Sequence, residues 1–146
     1  MWFKNLYFFT FTRPFEVSEQ DLEKQLNEHL FTPCASTEQS HFGWVNALGK
    51  HGNTAVHSVG GNFLICARKE EKILPAPVIK EQLEEKVSKL EADQGRSATK
   101  KEKEQFKEDI IFELLPRAFS RVTDTHAYIN AAHNLIVINS SSRGKA

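Results

Sequence analysis

Features that would announce a function are scarce in this sequence. There are two cysteines in 146 residues, Cys34 and Cys66, with no CxxC pair and no histidine at metal-ligand spacing. That pattern argues against a disulfide framework or a zinc site, and both residues read as buried thiols. The longest hydrophobic runs, such as Leu6 to Phe9 and Leu135 to Ile138, fall far short of the roughly 18 apolar residues a membrane-spanning helix needs. The amino end is an aromatic run holding Lys4, without an apolar core and small-residue cleavage site. It does not read as a secretory signal, so a cytoplasmic location is expected. Neither sign of charge is in excess: 19 Lys and Arg stand against 19 Asp and Glu, for a formal charge of zero. This excludes a polycation that coats nucleic acid and leaves local patches to do any such work. GxSxG, HExxH, GxxxxGK and GxGxxG are all missing, as are internal repeats.

What is present is the composition of a folding globule, 40% apolar and 26% charged, in a length suited to one unit over residues 1–146. The aromatic and β-branched run from Trp2 to Thr12 predicts a central or near-central strand, closed by Arg13-Pro14. Ser18 offers an N-cap, Val17 and Leu22 are spaced as a hydrophobic staple, and Leu22, Leu26 and Leu30 repeat at helical intervals. Phe31-Thr32-Pro33 stops that helix, and Ala35 to Asn53 reads as loop with a short strand near Gly43-Trp44-Val45. Gly60-Gly61 predicts a hairpin turn between Ala55–Val59 and Asn62–Arg68, because glycine tolerates positive φ.

Pro75 and Pro77 can open a helix without losing an intrahelical hydrogen bond. Ile79, Leu83, Val87 and Leu90 form its stripe opposite a charged face that reads as solvated. Thr99 and Glu102 form a capping box from which a second helix runs to about Leu115, with Phe106, Ile110, Ile111, Leu114 and Leu115 as its buried stripe. These two helices predict a hairpin over residues 76–116, projecting from the sheet. Phe119 to Ile129 and Leu135 to Asn139 return as strands. The order of elements predicts α+β with a mostly antiparallel sheet and a short N-terminal helix.

Catalytic chemistry finds little support. Six histidines could supply a base, but nothing local pairs one with a nucleophile. His51 and His57 are six residues apart, which suits neither a helical nor a strand metal pair. Carboxylates at Glu70-Glu71, Glu84-Glu85 and Glu108-Asp109 are adjacent, so their side chains diverge. No metal, cofactor or enzyme activity is expected. Basic residues are more suggestive, because the second half of the chain carries the excess. Residues 1–60 hold 4 Lys and Arg against 6 Asp and Glu, and residues 61–146 hold 15 against 13. Arg96, Lys100, Lys101, Lys103 and Lys107 crowd the turn and first half of the second helix, as a phosphate-gripping tip or merely a soluble one. Arg68, Lys69 and Lys72 form another group, which lines a groove or brackets Glu70 and Glu71 in ion pairs. Phe119, set between Arg117 and Arg121, reads either as core or as an exposed interface anchor.

Longer words in the chain carry a family resemblance. Ile65-Cys66-Ala67-Arg68-Lys69-Glu70-Glu71-Lys72-Ile73-Leu74-Pro75 and Leu114-Leu115-Pro116-Arg117-Ala118-Phe119-Ser120-Arg121 resemble signatures of the bacterial RdgC family of recombination-associated proteins. Trp2-Phe3-Lys4-Asn5-Leu6, Phe31-Thr32-Pro33-Cys34 and Gly43-Trp44-Val45 support the match, which is collinear from Trp2 to about Asn139. Two departures are Asn46-Ala47, where the family usually has prolines, and the family's continuation well beyond position 146.

The resemblance implies a non-enzymatic, nucleoid-associated, ring-shaped homodimer. It would enclose duplex DNA without sequence preference and limit RecA filament formation during recombination and replication. Candidate phosphate contacts are then Arg68, Lys69, Lys72, Lys100, Lys101, Lys103, Arg117 and Arg121. Arg117 and Phe119 are candidate dimer contacts, beside the helical hairpin near the contact that closes the ring. The rival expectation is a dimerisation or protein-interaction module whose DNA contacts lie mostly in the family's other half.

Overall fold

A computed structural model describes residues 3–146; Trp2, where the first expected strand begins, lies outside the described residues. The elements in order are β1 (Leu6–Thr10), α1 (Glu19–Asn27), β2 (Ser40–Val45), β3 (His57–Val59), β4 (Asn62–Lys72), α2 (Ala76–Gln94), α3 (Lys100–Leu114), β5 (Ser120–Asn130) and β6 (Leu135–Asn139). The strands form one sheet in the order β1-β6-β5-β4-β2, with β3 paired to β4. The fold is therefore α+β with a mostly antiparallel sheet and a two-helix hairpin, as the pattern implied. Among the described residues no helix is long and apolar enough to cross a membrane.

Contacts gather the described residues into two compact units. The first comprises residues 3–33, His41–Lys69 and Val122–Ala146; the second comprises Cys34–Ser40 and Glu70–Arg121. Strands β4 and β5 run from one into the other.

In the first unit, Ser18 caps α1 by accepting from the Asp21 N–H at 3.1 Å. Leu22 and Leu26 are buried in a core with Ala55, Val56, Ile65, Ala127 and Ile129, and Val17 packs against it. The helix ends at Asn27, so Leu30, expected on its stripe, lies past its end and is 48% exposed. A single carboxylate ties the helix to the chain ahead of β3: Glu23 accepts from the backbone N–H of Ala55 at 2.8 Å and of Val56 at 2.6 Å. The Gly60-Gly61 turn forms as expected, with both residues at positive φ, 58° and 79°.

One expectation about the sheet is overturned. The first strand lies at the sheet's edge, paired with β6. Its aromatic and β-branched residues report that one face packs, not how many neighbours the strand has. Tyr7 and Phe9 are half-buried, in register with Ile138 and Ile136, whereas Leu6, Phe8 and Thr10 are exposed.

In the second unit, Pro77 sits in the first turn of α2, and Gly95 closes the helix in the left-handed conformation at φ 64°. Thr99 and Glu102 complete the capping box of α3 in both directions. Ile110 is fully buried and Leu115 nearly so, while α2 contributes only half-buried side chains, Ile79, Leu83, Val87 and Leu90. Two residues past Ile110, about 200° around the helix, Phe112 faces outward and is 63% exposed.

Candidate functional site

Four of the basic residues singled out from the sequence, Arg68, Arg96, Lys100 and Arg121, have carboxylate partners close by. Arg68, on β4, meets Asp124 of β5 edge to edge, with Nε to Oδ1 and Nη2 to Oδ2 both at 2.7 Å. It also lies over the Phe31 ring, 5.7 Å from the centroid. The hydrogen bond to Asp124 raises the Arg68 pKa and holds the Asp124 carboxyl below its ordinary value. The partner is therefore neither Glu70 nor Glu71, its neighbours in sequence. Asp124 is a residue that sequence reasoning missed, because a cross-strand pair 56 positions apart has no local signal.

This pair borders a concavity of about 800 Å³ in the first unit, lined also by Phe31, Trp44, Lys50, His51, Cys66 and His126. Burial pushes the Cys66 thiol up to about 11 and His126 below its ordinary value. Cys66 is buried as expected, but Cys34, in the second unit, is only half-buried; both are free thiols. Lys69 is exposed.

The remaining candidates lie in the second unit. At the start of α3, Arg96 is clamped by Glu102 through Nη1 to Oε2 at 3.0 Å and Nη2 to Oε1 at 2.6 Å. That bond, with the Thr99 backbone N–H, draws the Glu102 carboxyl down to about 2. Lys100 makes a loose pair with Glu104 at 4.0 Å. Lys101, Lys103 and Lys107 are exposed and have no ion-pair partner among the described residues.

At the other end of α3, about 20 Å away along the helix, Arg117 ends a short 3-10 turn (Leu115–Arg117) and is exposed. Phe119 follows, 86% exposed, which settles its burial in favour of the surface reading. Arg121 pairs with Glu71 at 3.5 Å, and Lys72 is half-buried, its backbone N–H bound to the Gln39 carbonyl.

Glu70, which the sequence offered only as one of two diverging carboxylates or an ion-pair partner of its basic neighbours, has distant hydrogen-bond partners instead. Its Oε1 accepts from the Ser120 hydroxyl at 2.6 Å and its Oε2 from the Cys34 backbone N–H at 2.7 Å. Those bonds, the Ser120 one foremost, hold its carboxyl below the usual range. Just beyond, the Ile73 N–H donates to the Phe119 carbonyl at 2.7 Å.

Fold and side chains together define an α+β sheet protein with a helical hairpin inserted between β4 and β5, basic at its turn and bearing a bare aromatic just past its end. The chain belongs to the RdgC family: the family model described as "Putative exonuclease, RdgC" matches residues 1–146. It is 80% identical over all 146 residues to the recombination-associated protein RdgC of Colwellia psychrerythraea. Those of Aeromonas hydrophila and Tolumonas auensis are 57% and 54% identical over the same length. In each case the whole chain is matched to 48% of the relative. The chain thus spans about half the length of the curated relatives it matches.

Proposed function

We propose that this chain is the N-terminal portion, a single α+β unit with its hairpin at 76–116, of a non-enzymatic protein that binds duplex DNA without sequence preference. In this reading it acts as a ring-forming homodimer, associated with the nucleoid in the cytoplasm, that limits RecA filament formation. One observation carries the reading. A single helix, α3, has exposed, unpaired lysines at its start and, just past its end, a nearly bare phenylalanine between two arginines.

Lysines that neutralise phosphates release condensed counterions and require no base contacts, which suits nonspecific binding. Lys101 and Lys103 are the foremost contacts, and Lys100, Arg117, Lys69 and Lys72 are further ones. Arg68 and Arg121 contribute less, because carboxylates already neutralise them. A bare aromatic flanked by arginines is the composition of an interface anchor, so Phe119 and Arg117 are the dimer contacts.

Duplex binding by the 146-residue chain, followed from low to moderate salt, tests the DNA part. Replacing Lys101 by alanine should make the slope of log affinity on log salt shallower by about 0.9. Unchanged slopes for Lys101→Ala and Lys103→Ala would remove both from the contact set. The zero net charge favours a second reading, a dimerisation module whose DNA contacts lie elsewhere in the family's longer chains. A dimer that ignores duplex even at low salt would establish it. Nucleotide release from end-labelled duplex with magnesium present would overturn the non-enzymatic part and match the family's "exonuclease" description.

A further inference from the structure

We infer that Glu70 is a positioning residue for the contact made by Phe119; the inference rests on the reading of Phe119 as a self-association anchor. An aromatic side chain left 86% exposed gains affinity when the backbone beneath it is already held in the bound geometry, because less ordering entropy is lost on docking. The backbone around Phe119 is held in that way. On its N-terminal side the Ala118 N–H donates to the Leu115 carbonyl at 3.3 Å, and the Phe119 carbonyl itself accepts from Ile73. On its C-terminal side the Ser120 hydroxyl is tied to Glu70.

Of these restraints, the one at Ser120 runs through Glu70. One carboxylate oxygen takes the Ser120 hydroxyl and the other takes the backbone of Cys34, while the Cys34 thiol donates to the Glu70 carbonyl at 3.6 Å. Two residues further along β4, the Lys72 N–H reaches the Gln39 carbonyl at 2.7 Å. Three separate stretches of the second unit, around Cys34, Glu70 and Ser120, are thereby joined through one side chain. The alternation of β4 explains the division of labour. Residues 70 and 71 point to opposite sides of the strand, so Glu70 serves Ser120 while Glu71 serves Arg121. No part of Glu70 needs to touch the partner for it to govern how firmly Phe119 is presented.

Sedimentation equilibrium of the 146-residue chain, paired with amide exchange at Ile73, tests the inference. Phe119→Ala should abolish or greatly weaken association. Glu70→Ala should weaken it about tenfold, equivalent to about 1.4 kcal/mol, and speed exchange of the Ile73 amide while the rest of the chain keeps its protection. Glu70→Gln, whose oxygen and amide can still serve the Cys34 N–H and the Ser120 hydroxyl, should restore both. At loadings where Phe119→Ala still associates measurably, adding Glu70→Ala should weaken association no further, a non-additivity that a merely structural role would not produce.

If Phe119→Ala associates like the parent, or the parent is a monomer at every loading, the anchor reading fails and takes the inference with it. If Phe119→Ala dissociates but Glu70→Ala does not, the anchor reading stands and Glu70 is overturned. Should Glu70→Ala fail to fold, Ser120→Ala decides by the same two readouts.

Discussion

Arg68 and Asp124 face each other across β4 and β5 in a two-point contact, both nitrogen–oxygen distances being 2.7 Å. The pair is little more than a third exposed on each side, so its charge attraction is screened by solvent and its geometry does most of the work. Exposed pairs are worth between roughly 0.2 and 1 kcal/mol, and a two-point arginine–carboxylate contact lies at the upper end. A double-mutant cycle with Arg68→Ala and Asp124→Ala, read by denaturant unfolding, should therefore return a coupling of about 1 kcal/mol. Strict additivity would show the pair to be incidental. Because the folded-state pKa of Asp124 is depressed, its contribution is complete above the unfolded value of about 3.9 and is lost as pH falls through the lower folded value.

His126 sets a second pH window. Burial depresses its pKa, against the opposing pull of Asp124. The unfolded chain therefore takes up a proton before the folded one does, starting near pH 6.5. Stability should be full above that pH and decline as pH falls through it toward the folded value. Thermal unfolding of His126→Gln should show a flatter profile across pH 5 to 7. A parent profile already flat in that range would count against the assignment.

Gly43 lies where β2 passes the Phe31 backbone. A Cβ at this position would overlap the Phe31 Cα and come within 2.5 Å of the Phe31 nitrogen and 2.8 Å of the Leu30 carbonyl carbon. Nothing flexible is available to yield, since all three are backbone atoms. Gly43→Ala should cost at least the 1–3 kcal/mol usual for overpacking, seen as a lower denaturant midpoint. An unchanged midpoint would mean that β2 does not approach that closely.

Glu102 offers a local check on the hairpin turn. Arg96 and the Thr99 N–H hold its carboxyl at about 2, so Arg96→Ala should move its NMR titration midpoint upward, toward the ordinary value near 4.3. Being depressed, the group stabilises the fold above that ordinary value, and this is lost as pH falls toward 2. Thr99→Ala removes the other half of the capping box and should cost about 1 kcal/mol of stability. Independence of the Glu102 midpoint from Arg96 would show the ion pair to be absent in solution.

Local chemistry was legible from the residues alone. Ser18, Thr99 with Glu102, Pro77 and Gly60-Gly61 act through partners a few positions away, so the sequence by itself determined where the helices begin and where the hairpin turns. The long words from Ile65 to Pro75 and Leu114 to Arg121 likewise sufficed for the family. Tertiary structure alone decided what depends on distant partners. It placed β1 at the edge of the sheet, put Asp124 against Arg68 and Ser120 against Glu70, and left Phe119 bare. A strand's neighbours, and which carboxylate meets which partner, are set by the register between segments 50 or more residues apart, and no local pattern records that register.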